Sequence, residues 1–317
     1  MTGMTRYALR RILFFLPVLL AVSAITFFGL ALIPGDPAQL FLPIDAENEA
    51  IEEWRASRGL DQPLLERYIN WLGGMLRGDP GPALVSGVPI HDEIAQRWPV
   101  SMLVLVFTFF FSTTLGLLFG ALSAVFQDSW LDYFVRTFSI FGLSTPSFFL
   151  LTLLLVLPAV WWGYAPPFGY VPFWEDPGRA ARQIIPPTLL LSIGGAGSLA
   201  RLVRSSLLEV LRQDFITTAR AKGLTERAVL VRHAIRNAAI PLLTVFGGVI
   251  GGLLGGSVIL ENITALPGLG QYTFNAVIQR DTNVVMAMTT YSAVLLVSSH
   301  LIVDLLYGWA DPRIRYE

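Results

Sequence analysis

The chain has no cysteine, three histidines and a single lysine, Lys222, in 317 residues. Without cysteine there is no disulfide, no iron–sulfur cluster and no thiol nucleophile. Lys222 lies between Ala221 and Gly223, so the glycine-rich loop ending in Gly-Lys-Ser/Thr that cradles nucleotide phosphates is absent. His91, His233 and His300 stand far apart, and none falls in the His-Glu-x-x-His or Cys/His spacings of metal sites. No Gly-x-Ser-x-Gly occurs, nor a Ser/His/Asp set on one face. These absences predict a chain that is not an enzyme, with no metal site, cofactor or catalytic residue of its own. Charge is scarce as well: Asp, Glu, Lys and Arg make up 14% of the residues, against about 25% in soluble domains. The formal net charge of −1 gives no reason to expect a nucleic-acid partner.

What fills the chain instead is apolar, at 54%. Several runs exceed the roughly 18 residues that cross a bilayer. This predicts an all-α, polytopic membrane protein with the lipid bilayer as its solvent. Six transmembrane helices are expected, over 12–33, 99–126, 134–160, 184–211, 238–260 and 284–309. The first follows a short basic stretch holding Arg6, Arg10 and Arg11. It is longer than the roughly 7–15 apolar residues of a secretory signal, and no clear small-residue cleavage site follows, so it reads as an uncleaved span. The expected organisation is a tail and first span over 1–33, an extracytoplasmic segment over 34–98, a five-helix core over 99–309 that includes a polar loop over 212–237, and a tail over 310–317.

Between residues 36 and 97 there are eleven acidic residues against five arginines, with helical patches expected near 47–57 and 63–76. Such a segment suits either a small cap or a part in substrate handling. Short loops on the side of the two termini hold twelve Arg or Lys, and those on the other side hold three. The positive-inside bias then places both termini and the polar loop in the cytoplasm. Trp161, Trp162, Tyr164, Tyr170 and Trp174 cluster between the third and fourth spans. They form either an interfacial aromatic belt or an aromatic vestibule.

The polar loop is the most informative stretch. It carries Arg220, Lys222, Arg227, Arg232 and Arg236 against Asp214 and Glu226. Gly223 divides it, as a left-handed residue just past a helix end. Thr225 can cap the next helix, with Glu226 favourable in its first turn. An ordered, basic helix–Gly–helix elbow results. Its charges alone suit a topology signal, but the ordered turn points to a protein partner.

Three further patterns stand out. On the fifth span Gly247, Gly251 and Gly255 recur every four residues, as do Gly248, Gly252 and Gly256. Such stripes admit close helix packing, and glycine also suits a helix that bends along a pathway. Glu261 precedes a turn made by Pro267, Gly268, Leu269 and Gly270, with a short amphipathic helix expected over 271–279; this reads as an ordinary connection or as an outer gate. Asp304 on the sixth span and Arg201 or Arg204 on the fourth sit at similar depth. They are expected either to pair near the inner mouth or to snorkel separately to the interface.

Several of these residues also carry a resemblance. TARAKG over 218–223 followed by RHAIRNAAIP over 232–241 resembles the loop that bacterial ABC importer permeases of the dipeptide/oligopeptide/nickel branch present to their ATPase. Thr217 and Thr218 stand where that loop has Glu and its first Ala, whereas Ala219 and Gly223 match. LDQPLLERYINWLGGMLRGDPG over 60–81, the Pro-Gly-Leu-Gly turn and VDLLYGWADPRIR over 303–315 resemble the same branch. The resemblance implies the type I ABC importer permease fold in the bacterial cytoplasmic (inner) membrane. It implies a second permease subunit, often a distinct homologue, two ABC ATPase subunits that hold ATP and Mg, and an extracytoplasmic substrate-binding protein. Thr217, Thr218, Ala219, Arg220, Ala221, Lys222, Gly223, Leu224 and Thr225 would then form the ATPase-coupling loop. The cargo would be di- or oligopeptides, or nickel, a sugar or an opine, moved by alternating access. An ion-coupled secondary transporter and a membrane scaffold are the other classes open; few mid-span acids argue against the first, and the glycine-rich fifth span argues weakly against the second.

Overall fold

In the computed structural model the chain is almost wholly helical. The described residues are 3–34, 38, 42–43, 46–164 and 169–310; side chains of 3–12, 236, 239–247, 249 and 304–310 lie outside the description. Among the described residues there is no strand, only a single bridge between Pro82 and Pro89. Four helices are long and apolar enough to cross a membrane, and one bent pair passes the same test jointly. A further continuous helix of 29 residues completes six segments.

Helix α1 (Gly3–Ala31) presents Leu13, Leu16, Leu20 and Ile25 outward, as a lipid-facing span must. Two short helices follow, α2 (Asn48–Ser57) and α3 (Leu64–Leu76). Tyr68 and Trp71 of α3 pack on Phe27 of α1, with ring centroids 5.3 and 6.2 Å apart. The Tyr68 hydroxyl also hydrogen-bonds with Ser23 Oγ at 2.9 Å.

Helix α4 (Ile90–Val125) and helix α7 (Pro177–Leu211) form the central pair. Along α4, Thr108, Ser112, Gly116, Gly120 and Ala124 are buried at every fourth position. Small residues at that spacing lie on one face and let backbones approach. A Cβ added at Gly116 would sit 2.7 Å from Leu199 Cβ, and one at Gly120 would sit 2.5 Å from Val203 Cβ. Such a seam is expected on the fifth span; among the described residues a tighter one lies here. Helix α4 also begins earlier than expected, because Ile90, Ile94 and Trp98 already pack on the far end of the molecule.

The expected third span, 134–160, is not one helix. It is α5 (Trp130–Ser144) and α6 (Ser147–Trp162), bent by 96° at the break. The cause is local. Pro146 disfavours the α region for the residue before it, and Thr145 is extended at φ −94°, ψ 121°. Helix α7 likewise starts before its expected boundary: Asp176 accepts a hydrogen bond from the Arg179 amide at 3.0 Å, with proline in the first turn.

After α7 come the elbow helix α8 (Asp214–Ala221), a turn at Glu226–Ala228 and a π-helical stretch Val229–Ala234. These lead into α9 (Ile235–Ile263), α10 (Leu269–Ile278) and α11 (Thr282–Ala310). One core, with Leu199, Val203, Leu207, Ile216 and Val229, sits at the elbow end. Two others, around Ile90, Leu269 and Val284 and around Val104, Leu151 and Leu260, lie toward the opposite end.

Candidate functional site

The elbow is folded as a rigid projection. Ile216 and Ala219 are buried against α7 and the π-helical stretch, so one face of α8 is anchored. Gly223 has φ +79°, the left-handed region that costs a residue with a Cβ roughly 1–2 kcal/mol. Its amide donates to the Arg220 carbonyl at 2.9 Å, and the Leu224 amide donates to the Ala219 carbonyl at 3.4 Å. Thr225 then caps the next turn, its Oγ1 accepting from the Ala228 amide at 3.4 Å. Across the turn, Arg220 makes a forked contact with Glu226, at 2.8 and 3.3 Å. That exposed pair contributes roughly 0–1 kcal/mol, but it fixes the direction of the turn.

The anchored and presented residues therefore separate. Ala219 faces the core, while Thr217, Thr218, Ala221, Lys222, Gly223 and Leu224 are exposed, together with Phe215. Exposed Phe215 and Leu224, on the same elbow as exposed Lys222 and Arg227, are chemistry suited to a protein surface rather than to water alone.

Arg204 pairs inside the bundle, with a residue of α5. Its Nε and Nη2 both donate to the Asp132 carboxylate, each at 2.8 Å. Asp132 is wholly buried, and its remaining capacity is met by Ser123 Oγ and by the Asp128 amide at 3.0 Å. The guanidinium fork reaches α5, which packs directly on α7, and the expected pairing of Asp304 with Arg204 or Arg201 falls outside the described residues. The side chain of Asp304 lies outside the described residues, and Arg201 is exposed. Asp132 went unnoticed in the sequence. The available signal was Ser129-Trp-Leu-Asp132, a helix-start pattern, in which the Asp132 amide donates to Ser129 Oγ at 3.4 Å.

At the opposite end Glu261 is the hub. It is wholly buried. Ser101 Oγ of α4 donates to Oε1 at 2.7 Å. The amides of Gly270 and Gln271 donate to Oε2 at 2.7 and 3.1 Å. Ser101 Oγ in turn accepts from the Leu269 amide at 2.8 Å. The carboxylate thus satisfies the free amides at the start of α10, where a helix dipole favours negative charge. Gly268 and Gly270 are required by close approach: a Cβ at either would strike the Glu261 carboxylate. Pro267 leads into this turn. Nearby, Asp281 accepts from the Val85 amide at 2.9 Å, and the Asn283 side chain donates to the Pro82 carbonyl at 3.1 Å. The loop before α4 is thereby tied to α11.

The glycines of α9 divide by direction rather than by stripe. Cβ atoms at Gly251 and Gly256 would press on Leu296 and Leu191, each at 3.0 Å, whereas at Gly248, Gly252 and Gly255 nothing lies within 4 Å. Gly247 lies outside the described side chains. Among the described residues no cluster of His, Asp or Glu could hold a metal ion.

The family described as "Binding-protein-dependent transport system inner membrane component" matches residues 116–316, and its N-terminal companion matches 4–105. A Brucella abortus protein described as a peptide transport system permease is 40% identical over 314 residues, covering 99% of this chain and 100% of that protein. The oligopeptide transport system permease protein AppB of Bacillus subtilis is 37% identical over 316 residues, again across 99% of this chain and 100% of its own length. The glutathione transport system permease protein GsiC of Escherichia coli strain K12 is 34% identical over 314 residues, covering 99% and 100% of the two chains. Among solved structures, the inward-facing MetNI methionine ABC transporter aligns with a TM-score of 0.52 at 20% identity, over 69% of this chain and 96% of that one. That likeness shows a shared fold.

Proposed function

Since the chain belongs to the binding-protein-dependent transport system inner membrane component family, and is a permease of an ABC importer, we propose that it forms one half of the pathway for a short peptide or a solute of similar size. Peptide, oligopeptide and glutathione transport in the relatives' names support that cargo. The second half is a distinct homologous permease. ATP and Mg sit on two ATPase subunits, and an extracytoplasmic binding protein delivers the cargo. Both termini and the elbow face the cytoplasm, as the excess of Arg and Lys in the short loops on that side supports.

The observation that carries this reading is the elbow. A short helix anchored by Ile216 and Ala219, turned at Gly223 and presenting Phe215, Lys222 and Leu224, is a stiff lever. Closure of the ATPase dimer draws the elbows together and pulls on α7 and α9. The bundle is coupled through the α4–α7 seam, so motion at the elbow reaches the Glu261 latch at the other end. Hydrolysis reverses the movement, giving alternating access.

The test is a mild-detergent pull-down of the tagged full chain from its own host, with partners identified by mass spectrometry. Recovery of ATPase subunits and a second permease is expected, with the ATPase subunits lost from a Gly223→Val chain that still inserts. Recovery of the chain alone, or only as a homodimer, contradicts the reading.

A further inference from the structure

At the end away from the elbow, a chamber of about 420 Å³ opens between α1, α3 and the junction of α10 with α11. Its wall is apolar, with Phe27 and Leu30 from α1, Leu64 from α3, and Val285 and Met286 from α11. Among the described residues its charged lining is of one sign. Arg55, Arg67 and Arg280 contribute to it, and no Asp or Glu does among the described residues. This is the reverse of the surrounding segment, which is acidic overall. Arg67 stands 5.9 Å over the Phe27 ring, and burial pulls its pKa down from the ordinary arginine value. Among the described residues no carboxylate pairs with Arg67 or Arg280. A partly desolvated guanidinium is costly without an anion beside it.

The chamber also adjoins an apolar exterior. Ile25 and Leu32 of α1 and its adjoining turn are exposed, and so are Leu65, Ile69 and Leu76 of α3. The α3 residues share one helical face. The Tyr68–Ser23 hydrogen bond fixes how deep α3 sits. Ser23 lies eight residues before the end of α1 at Ala31, which is roughly 12 Å along the helix axis. Helix α3 is therefore an interfacial helix with its apolar stripe toward acyl chains. Next to the chamber is a second one of about 320 Å³ that shares Phe27, Leu60, Arg67 and Met286 with it. That one is polar, lined by Gln62, Asn70, Asp79 and Trp71 among others.

We propose that these joined chambers hold one anionic phospholipid of the phosphatidylglycerol class. Its phosphate lies against Arg67 and Arg280, an acyl chain runs along Phe27, Leu30 and Met286, and the glycerol headgroup meets Gln62 and Asn70. A soluble anion would satisfy the arginines but not the apolar wall, and a neutral lipid would do the opposite. The bound lipid joins the first span and α3 to the α10–α11 junction. It is independent of the transported solute.

The experiment uses the full chain purified in mild detergent. A photoactivatable phosphatidylglycerol is crosslinked to it, and the labelled peptides are mapped. Labelling is expected in peptides holding Leu30 or Met286, competed by unlabelled phosphatidylglycerol and not by phosphatidylcholine. An Arg67→Gln, Arg280→Gln chain should need at least about fivefold more lipid per charge removed for half-labelling. If that variant fails to fold, the competition on the wild-type chain decides alone. Equal competition by both lipids, or labelling spread evenly around the bundle, overturns the proposal.

Discussion

Gly223, Asp132 and Tyr272 are each constrained by their surroundings, for three different reasons. At Gly223 the reason is backbone geometry, φ +79° with open space around it. Replacement by valine strains the turn by roughly 1–2 kcal/mol and redirects Leu224 rather than unfolding the bundle. The expected result is normal membrane insertion with the ATPase subunits no longer retained, and so no ATP-driven uptake. Coupled uptake by this variant would count against the lever. At Asp132 the reason is a buried charge. Removing Asp132 leaves Arg204 without its carboxylate, and removing Arg204 leaves buried Asp132 only the more distant Arg136, at 3.8 Å; breaking such a pair costs up to about 3–5 kcal/mol. Asp132→Asn and Arg204→Gln should each lower the thermal midpoint, and the double variant should lose much less than the sum. Strict additivity would show the two do not interact. Burial, with Glu93 and Asp281 nearby, raises the Tyr272 phenol to about 12. The neutral form is favoured in the fold, so that contribution is complete below about pH 10 and lost as pH rises through the folded value. Thermal midpoints should therefore decline above about pH 10, and part of that decline should vanish in Tyr272→Phe; an unchanged decline contradicts this assignment.

At the scale of elements, the latch at the start of α10 carries the sharpest expectation. Glu261→Ala leaves Ser101 and the amides of Gly270 and Gln271 without their acceptor, at about 1–3 kcal/mol for each unpaired group. Hydrogen exchange at residues 269–271 should accelerate markedly, with partial recovery in Glu261→Gln, which keeps one acceptor oxygen. Unchanged exchange would mean that α10 is held by packing alone. These elements differ in how far the sequence reveals them. The elbow is legible because its chemistry is local: Gly223 and Thr225 lie within a few residues of everything they terminate or cap. The start of α10 is legible for the same reason. The partner of Arg204 is not, because α5 and α7 are separated by seventy-two positions between Asp132 and Arg204 and meet only after the bundle packs. The break at Thr145 and Pro146 hides inside an apolar run, where composition outweighs one proline. The glycine repeat on α9 reports close packing in general, yet which glycines meet a neighbour depends on the helix's rotation, which no repeat encodes.

At the scale of the molecule, the two ends are built differently and joined by one long pair of helices. The elbow end holds a single compact core under an exposed basic and apolar tip. The opposite end holds two cores, the Glu261 latch and the loop ties made by Asp281 and Asn283. Between them α4 and α7 lie backbone to backbone, with residues too small to cushion a displacement. Such a body transmits movement as a unit instead of absorbing it. The importer reading requires that property, together with an ATPase seated on the tip. The most direct measurement exploits the absence of native cysteine. A Leu224→Cys chain, expressed with its partners, is treated in membrane vesicles with a short cysteine crosslinker, and Phe274→Cys serves as the control at the other end. The account predicts that Leu224→Cys crosslinks to an ATPase subunit, that ATP changes the yield, and that Phe274→Cys gives no such product. Efficient labelling of Leu224→Cys with no ATPase adduct in any nucleotide state would contradict it.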